Sequence, residues 1–224
     1  MITTLIELLP LIIASAILPS WITATIFLLQ SQHGLKKAIA LAGGMAIARL
    51  AQIILFGSIY SSINIKKVLV ISPILITALE IVIGIFFLIS AIRVLFYMSD
   101  LDELPLTWEA HLNRVGPWLT FGIGVLWLLV SGKLWMFTLS AIGIINSADL
   151  GTLQRLLAYT FYLVGSQILI GLPIVVCIIL PGRSASILKA WSDLLTKYYR
   201  PIIISISSIF SFYFLWHGLY KLFT

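Results

Sequence analysis

The chain has 224 residues, of which 61% are hydrophobic and only 10% are charged, and its mean hydropathy is +1.12. A water-soluble domain has roughly 45 to 50% apolar and about 25% charged residues, so this composition excludes one. The net charge is +6, but the basic residues lie mainly at the ends of apolar runs. There they indicate membrane topology rather than nucleic-acid binding.

Six continuous apolar stretches, separated by short polar breaks, run along the chain. They cover residues 5–30, 38–60, 72–97, 117–146, 153–180 and 200–223. A helix needs roughly 20 residues to cross a hydrocarbon core of about 30 Å, whereas barrel strands would alternate over roughly ten. The sequence therefore predicts an all-α polytopic membrane protein with six transmembrane helices. The first stretch has neither a basic start nor a cleavage pattern, so we expect a retained helix.

Orientation is predicted from the Lys and Arg residues near the ends of the spans. Eight of them flank the side that contains Lys36 and Lys37, and four flank the other side. The richer side is predicted to be cytoplasmic, which places both termini outside the cytoplasm, and we expect a bacterial inner membrane. Residues 100–114 and 184–199 have apolar positions at helical spacing, which predicts interfacial amphipathic helices, with plain loops as the alternative.

Two parts of the sequence resemble each other at a fixed offset of 128 residues. The matched pairs are Thr77 with Ser205, Phe86 with Phe214, Ser90 with Gly218, and Arg93 with Lys221. A duplication would give two three-helix repeats, residues 1–97 and 117–224, joined by a cytoplasmic linker over residues 98–116. Because each half has an odd number of spans, the repeats would be inverted, as in many secondary transporters. The alternative is chance similarity between apolar sequences.

Helix-breaking residues lie near the middle of the first span and of the fourth. Pro19 occupies the first position, and Ser131, Gly132 and Lys133 occupy the second. Broken helices free backbone groups that line substrate sites in transporters, so both breaks are predicted to contribute to a pathway. The alternatives are an ordinary Pro kink and a Gly packing contact. Lys133 is expected either to bind an anionic group or to extend toward the interface.

Three further polar residues lie deep within the predicted spans. Arg49 is about 17 Å from the inner end of the second span, and Glu80 is about 18 Å from the inner end of the third. Gln52 shares a helix face with Arg49. Because a charge in hydrocarbon costs at least about 2.5 kcal/mol, we predict that Arg49 and Glu80 form an ion pair. This pair is either structural or part of a substrate pathway.

The sequence contains no catalytic or metal-binding pattern. Cys177 is the single cysteine, which excludes an internal disulfide, and we expect a packed thiol. The three histidines, His33, His111 and His217, have no metal-ligand spacing. We therefore expect that the protein is not an enzyme and uses no cofactor or metal ion.

The sequence resembles the lysine-exporter (LysE) superfamily and, within it, the GAP family of peptidoglycolipid- or sulfolipid-addressing proteins. The similarity includes Leu18-Pro19-Ser20 in the first span, the turn at 33–38 and the glycines Gly43 and Gly44. In the fourth span, the family often has an Asn-Pro-Lys break. This chain instead has Ser131-Gly132-Lys133, which keeps the Lys and a helix breaker.

The resemblance implies a carrier that exports a small solute or moves a lipid or glycolipid across the membrane. The alternative is a non-transporting membrane subunit that stabilises a larger complex. The expected partners are membrane lipids, a small solute or lipid substrate, and a second copy of the chain or a larger membrane complex. A hydrated cavity around the intramembrane charges would favour the carrier, whereas dry packing would favour the scaffold.

Overall fold

A computed structural model describes residues 1–17, 19–62, 73–97 and 115–223, and this part of the chain is helical without strands. The helices are α1 (Ile2–Ala16), α2 (Pro19–Gln30), α3 (Gly34–Ser62), α4 (Pro73–Tyr97), α5 (Pro117–Val130), α6 (Gly132–Ser147), α7 (Thr152–Gly165), α8 (Ile168–Ile179) and α9 (Ser184–Phe223). The all-α prediction is confirmed for these residues. The predicted segment 100–114, with His111, lies outside the described residues.

Two helices are long and apolar enough to cross a membrane by themselves, over Gly34–Tyr60 and Lys197–Leu222. Three bent pairs, α1 with α2, α5 with α6, and α7 with α8, meet the same criteria together, which gives up to five candidate spans among the described residues. In addition, α4 has 25 residues and is therefore about 37 Å long. An integral membrane protein follows from these lengths, while the count of six spans stays a prediction.

Three of the candidate spans are broken rather than straight. The first break precedes Pro19 and bends the chain by 54°, and the second, at Ser131, bends it by 70°. Ser131 has an extended backbone (φ −76°, ψ 96°), whereas Gly132 is already the first residue of α6. The third break, 66° between α7 and α8, was not predicted, because residues 153–180 form one continuous apolar run with few polar residues.

Two helix seams organise the bundle. The most extensive helix contacts of the described residues are those between α4 and α9 and those between α3 and α5. In the α3–α5 seam, a Cβ on Gly44 would collide with the backbone oxygen of Phe121, and one on Gly124 would collide with that of Leu41. The two backbones therefore touch, as glycines allow at helix crossings in membranes.

The final helix has an interfacial-type segment before its long apolar part. Residues 184–199 are helical, as predicted, and the backbone departs from helical geometry at Tyr198 (φ −107°, ψ 15°). Leu188 is buried, whereas Lys189 and Lys197 lie on the exposed side. The segment is therefore amphipathic in the structure, and its position in the membrane interface stays a prediction.

Candidate functional site

A polar cleft lies between α1, α4, α6 and α9, near the end of the bundle where both chain termini lie. Its lining consists of Glu7, Pro10, Leu11, Glu80, Ser140, Ile144, Tyr213, Phe214, His217 and Lys221. Its volume is about 30 Å³, which is room for about two water molecules. The cleft brings six polar side chains together inside an apolar bundle, but it is too small in this conformation for a solute or a lipid headgroup.

Glu80 forms the ionic centre of the cleft. Its carboxylate oxygens lie 3.0 Å from Lys221 Nζ and 3.4 Å from His217 Nδ1. His217 and Lys221 are one helical turn apart on α9, so both reach the same carboxylate on the antiparallel α4. The Glu80 side chain is 11% exposed, and that of Lys221 is 41% exposed. The cluster is thus a satisfied ion pair at the edge of the bundle.

An aromatic layer closes the cleft on its inner side. Phe87 of α4 stacks on Phe137 of α6 and on Phe210 and Phe214 of α9, with ring centroids 5.4 to 6.4 Å apart. Phe214 also lines the cleft. Such stacked rings exclude water from the space between the helices. The cleft is therefore open toward one end of the bundle and sealed beneath Glu80.

A second polar group lies on α3 and differs from the first in lacking partners. Arg49 is 1% exposed and Gln52 is 3% exposed. Arg49 Nε and Nη1, and both side-chain polar atoms of Gln52, have no hydrogen-bond partner among the described residues. The Tyr162 ring of α7 lies 5.7 Å from Arg49 Cζ, which allows a cation–π contact.

The predicted ion pair between Arg49 and Glu80 is wrong. Glu80 instead pairs with Lys221 and His217, and the ion pairs of the described residues do not include Arg49. Depth alone suggested the pair, because both residues lie at similar levels on consecutive helices. However, depth does not specify the direction of a side chain, and α9 packs along the face of α4 that carries Glu80.

Helix α6 separates the two polar groups. Its Ser140 and Ile144 line the cleft, whereas Thr138 Oγ1 lies 3.3 Å from the Tyr162 hydroxyl and Asn146 donates to Tyr159 at 2.7 Å. Positions two residues apart point about 200° apart on a helix, so these are opposite faces. The Ser140 hydroxyl has no hydrogen-bond partner among the described residues. A shift of α6 would therefore affect both groups.

The residues of the second helix break lie outside the cleft. Gly132 is exposed, and a Cβ there would meet nothing within 4 Å. The Trp135 indole donates to the Leu129 carbonyl at 2.7 Å, which satisfies one acceptor freed by the break. The side chains of Pro19 and Lys133 lie outside the described part of the structure, so their predicted pathway roles are untested.

An apolar groove lies at another position, between α2, α8 and the amphipathic part of α9. Its volume is about 150 Å³, and its lining residues are Ile22, Leu169, Leu172, Trp191, Leu194 and Leu195. Apart from the indole N–H of Trp191, the side chains of this lining are apolar. The groove therefore contributes mainly apolar surface.

Of the six polar side chains of the cleft, sequence reasoning proposed only Glu80 as a site residue and missed both of its partners. Lys221 was used to predict topology and the internal repeat, and His217 was set aside because it has no metal-ligand spacing. A signal was nevertheless present, since His217 and Lys221 are four residues apart on a predicted helix and Glu80 needed a cationic partner. The third break shows a further case: Gln167, which lies within it, places its side-chain amide against the backbone of Ala42 and Ala46.

Comparison with known proteins adds one match. The model of a family described as Sap, sulfolipid-1-addressing protein, matches residues 8–220, which is nearly the whole chain. Curated proteins and solved structures give no match.

Proposed function

The chain belongs to the Sap, sulfolipid-1-addressing protein family, and we propose that it is a LysE/GAP-type carrier that moves a lipid or glycolipid across the membrane. The observation that carries this proposal is the polar cleft inside an apolar bundle. The cleft is lined by α1 and α4 of the first half and by α6 and α9 of the second. Substrate sites of secondary transporters lie at such interfaces between repeats.

The helix contacts support an inverted repeat as the basis of this carrier. Helix α2 contacts α3, α8 and α9. When the halves are exchanged, spans one, two and three correspond to spans four, five and six, and these contacts become contacts of α6 with α7, α3 and α4. All three are present, beside contacts of α6 with α1 and α5. Similarly, α1 contacts α6, and Trp21 of α2 lies 5.1 Å from Trp127 of α5. Matched contacts of this kind are expected when two halves share one fold.

Transport in this scheme requires a conformational change. The cleft has a volume of only about 30 Å³, and the Phe87 layer closes it below. The substrate headgroup therefore enters only when α6 moves relative to α4 and α9. Ser140 lines the cleft on the moving helix, and the Ser131 break gives α6 a hinge, as broken helices do in carriers.

The proposal is tested by filling the cleft. Ser140→Leu places an apolar side chain among Glu80, Tyr213 and Lys221, whereas Ser208→Leu places the same side chain on the exposed face of α9. Each variant is reconstituted into phosphatidylglycerol vesicles that contain fluorescent phosphatidylglycerol, and transbilayer movement is followed by dithionite quenching. We expect the first variant to slow this movement at least about tenfold and the second to match the wild type.

The same experiment distinguishes the carrier from a scaffold subunit. If the protein is a scaffold, vesicles that contain the wild type or either variant should move lipid no faster than vesicles without protein. Such a result for the wild type contradicts the proposal. Equal rates for Ser140→Leu and the wild type would place the pathway elsewhere in the molecule.

Orientation is tested separately by labelling cysteines in a Cys177→Ala background. His33 and Asp149 are both exposed, at opposite ends of the bundle. The proposed topology predicts that an impermeant thiol reagent reaches Asp149→Cys but not His33→Cys in intact cells. The reverse pattern would place both termini in the cytoplasm.

A further inference from the structure

Arg49 and Gln52 form a buried group of hydrogen-bonding atoms without partners in the described part of the chain. Arg49 lies 15 residues after the start of α3, about 22 Å along a helix of about 43 Å. Its Nε and Nη1 atoms and the Gln52 Nε2 and Oε1 atoms are buried and unpaired. Most buried polar atoms in proteins have a partner, so this cluster needs one, either an ordered water or a bound group.

The charge of Arg49 requires an anion. A guanidinium stays protonated at any physiological pH, and a charge at this depth costs at least about 2.5 kcal/mol without compensation. Glu80 is occupied by Lys221 and His217, and Glu7 lines the cleft on the opposite side of α6. Because the described carboxylates do not reach Arg49, the compensating charge comes from outside the described structure.

The surroundings of Arg49 are suited to an oxyanion. The guanidinium presents several N–H donors in one plane, which matches the oxygens of phosphate, sulfate and carboxylate groups. Gln52, one turn away on the same face of α3, adds an amide donor. The Tyr162 ring lies against the guanidinium at 5.7 Å and, with Thr138 bonded to its hydroxyl, holds α7 and α6 beside it.

We propose that Arg49 and Gln52 bind the anionic group of the transported molecule, an oxyanion such as phosphate, sulfate or carboxylate. The inference rests on the proposed transport function, because it assigns the substrate class of that pathway. The anion is either a lipid headgroup or a free ion, since both have the same donor requirements. Helix α6 lies between this site and the cleft, so the headgroup reaches Arg49 after α6 has moved.

Binding is tested with the full chain in a neutral detergent. Thermal unfolding is measured with inorganic phosphate, with sulfate, and with chloride at equal ionic strength, and then with micelles containing phosphatidylglycerol or phosphatidylcholine. We expect phosphate, sulfate or phosphatidylglycerol to raise the wild-type melting temperature by several degrees relative to its control. An effect of the inorganic ions alone identifies a free anion, and an effect of phosphatidylglycerol alone identifies a headgroup.

Variants connect this binding to the site. Gln52→Leu keeps the charge and the approximate volume, and should weaken apparent anion binding at least about tenfold. Arg49→Met should abolish anion binding. If the Met variant does not fold, Arg49→Lys is measured in its place. Arg93→Met removes a cation from an exposed position on α4 and serves as the control, with binding unchanged. The inference is overturned if the wild type binds neither probe, or if Gln52→Leu and the Arg49 variants bind as the wild type does.

Failure of this inference can be distinguished from failure of the proposed function. If Arg49→Met moves fluorescent phosphatidylglycerol at the wild-type rate, the anion site is wrong and the carrier stands. If anions bind in an Arg49-dependent manner but the wild type moves no lipid, the carrier is wrong as stated, and the site binds an anion for another purpose.

Discussion

The two polar groups on either side of α6 each contain a charged side chain within an apolar bundle, but they differ in the partners that stabilise that charge. Glu80 has two hydrogen-bonding neighbours, Lys221 at 3.0 Å and His217 at 3.4 Å, and Lys221 is partly exposed. Arg49 is buried deeper and has an aromatic face but no anionic partner among the described residues. A charge near the end of a bundle is stabilised by solvent and by a partner on the next helix, whereas a charge in the middle is far from bulk solvent and needs a partner within the bundle.

The largest expected effect concerns the seam that positions Arg49. Gly44→Ala forces a Cβ into the Phe121 backbone, which cannot yield, so we expect a destabilisation of about 3 kcal/mol, at the upper end for overpacked sites. Gly43→Ala is the matched control, because a Cβ there meets nothing within 4 Å. Unfolding titrations in mixed detergent micelles compare the two variants, and equal stabilities would mean that the α3–α5 contact is not as close as described.

Arg49→Met sharpens the comparison because we expect it to raise the free energy of unfolding, whereas Gly44→Ala lowers it. Removal of an unpaired buried charge should stabilise the protein by about 2.5 kcal/mol in a detergent without anionic lipid, while lipid transport is lost. Arg93→Met removes a cation from an exposed position on α4 and should change stability by less than about 0.5 kcal/mol. A marked loss of stability in Arg49→Met would show that Arg49 has a structural partner.

Lys221→Met tests the satisfied group and should destabilise the protein by about 2 kcal/mol. This value lies below the roughly 3 to 5 kcal/mol of a fully buried pair, because Lys221 is partly exposed and His217 remains beside Glu80. Adding Glu80→Gln removes the uncompensated carboxylate and should restore most of the loss. A double variant as unstable as the single one would contradict the ion-pair explanation.

The smallest expected effect is at the helix break. Gly132 is already helical, and its Cβ position is empty, so Gly132→Ala should stabilise α6 by less than about 1 kcal/mol and leave the Ser131 break in place. Transport should therefore be close to wild type. Circular dichroism and the vesicle assay measure both quantities, and a large loss of transport would show that flexibility at residue 132 itself is required.

Parts of the site were predictable because single residues carried the signal. Arg49, Gln52 and Glu80 were recognisable as intramembrane polar residues, since such residues are costly in apolar spans. Their grouping was not predictable: Glu80 was assigned to Arg49 by depth and in fact contacts Lys221, 141 positions later in the chain. The break before α8 was also missed, because apolar composition does not reveal where a helix bends.

The sequence by itself determined the class of the molecule, because a chain that is 61% hydrophobic must satisfy its backbone within helices in a membrane. It also determined the family, through features spread over residues 8–220. Only the tertiary structure decided which charges meet. The pairing depends on how α4 packs against α9, which is set by close contacts between helices that are distant in sequence. Such contacts give Glu80 its partners and leave the Arg49 and Gln52 atoms without hydrogen-bond partners among the described residues.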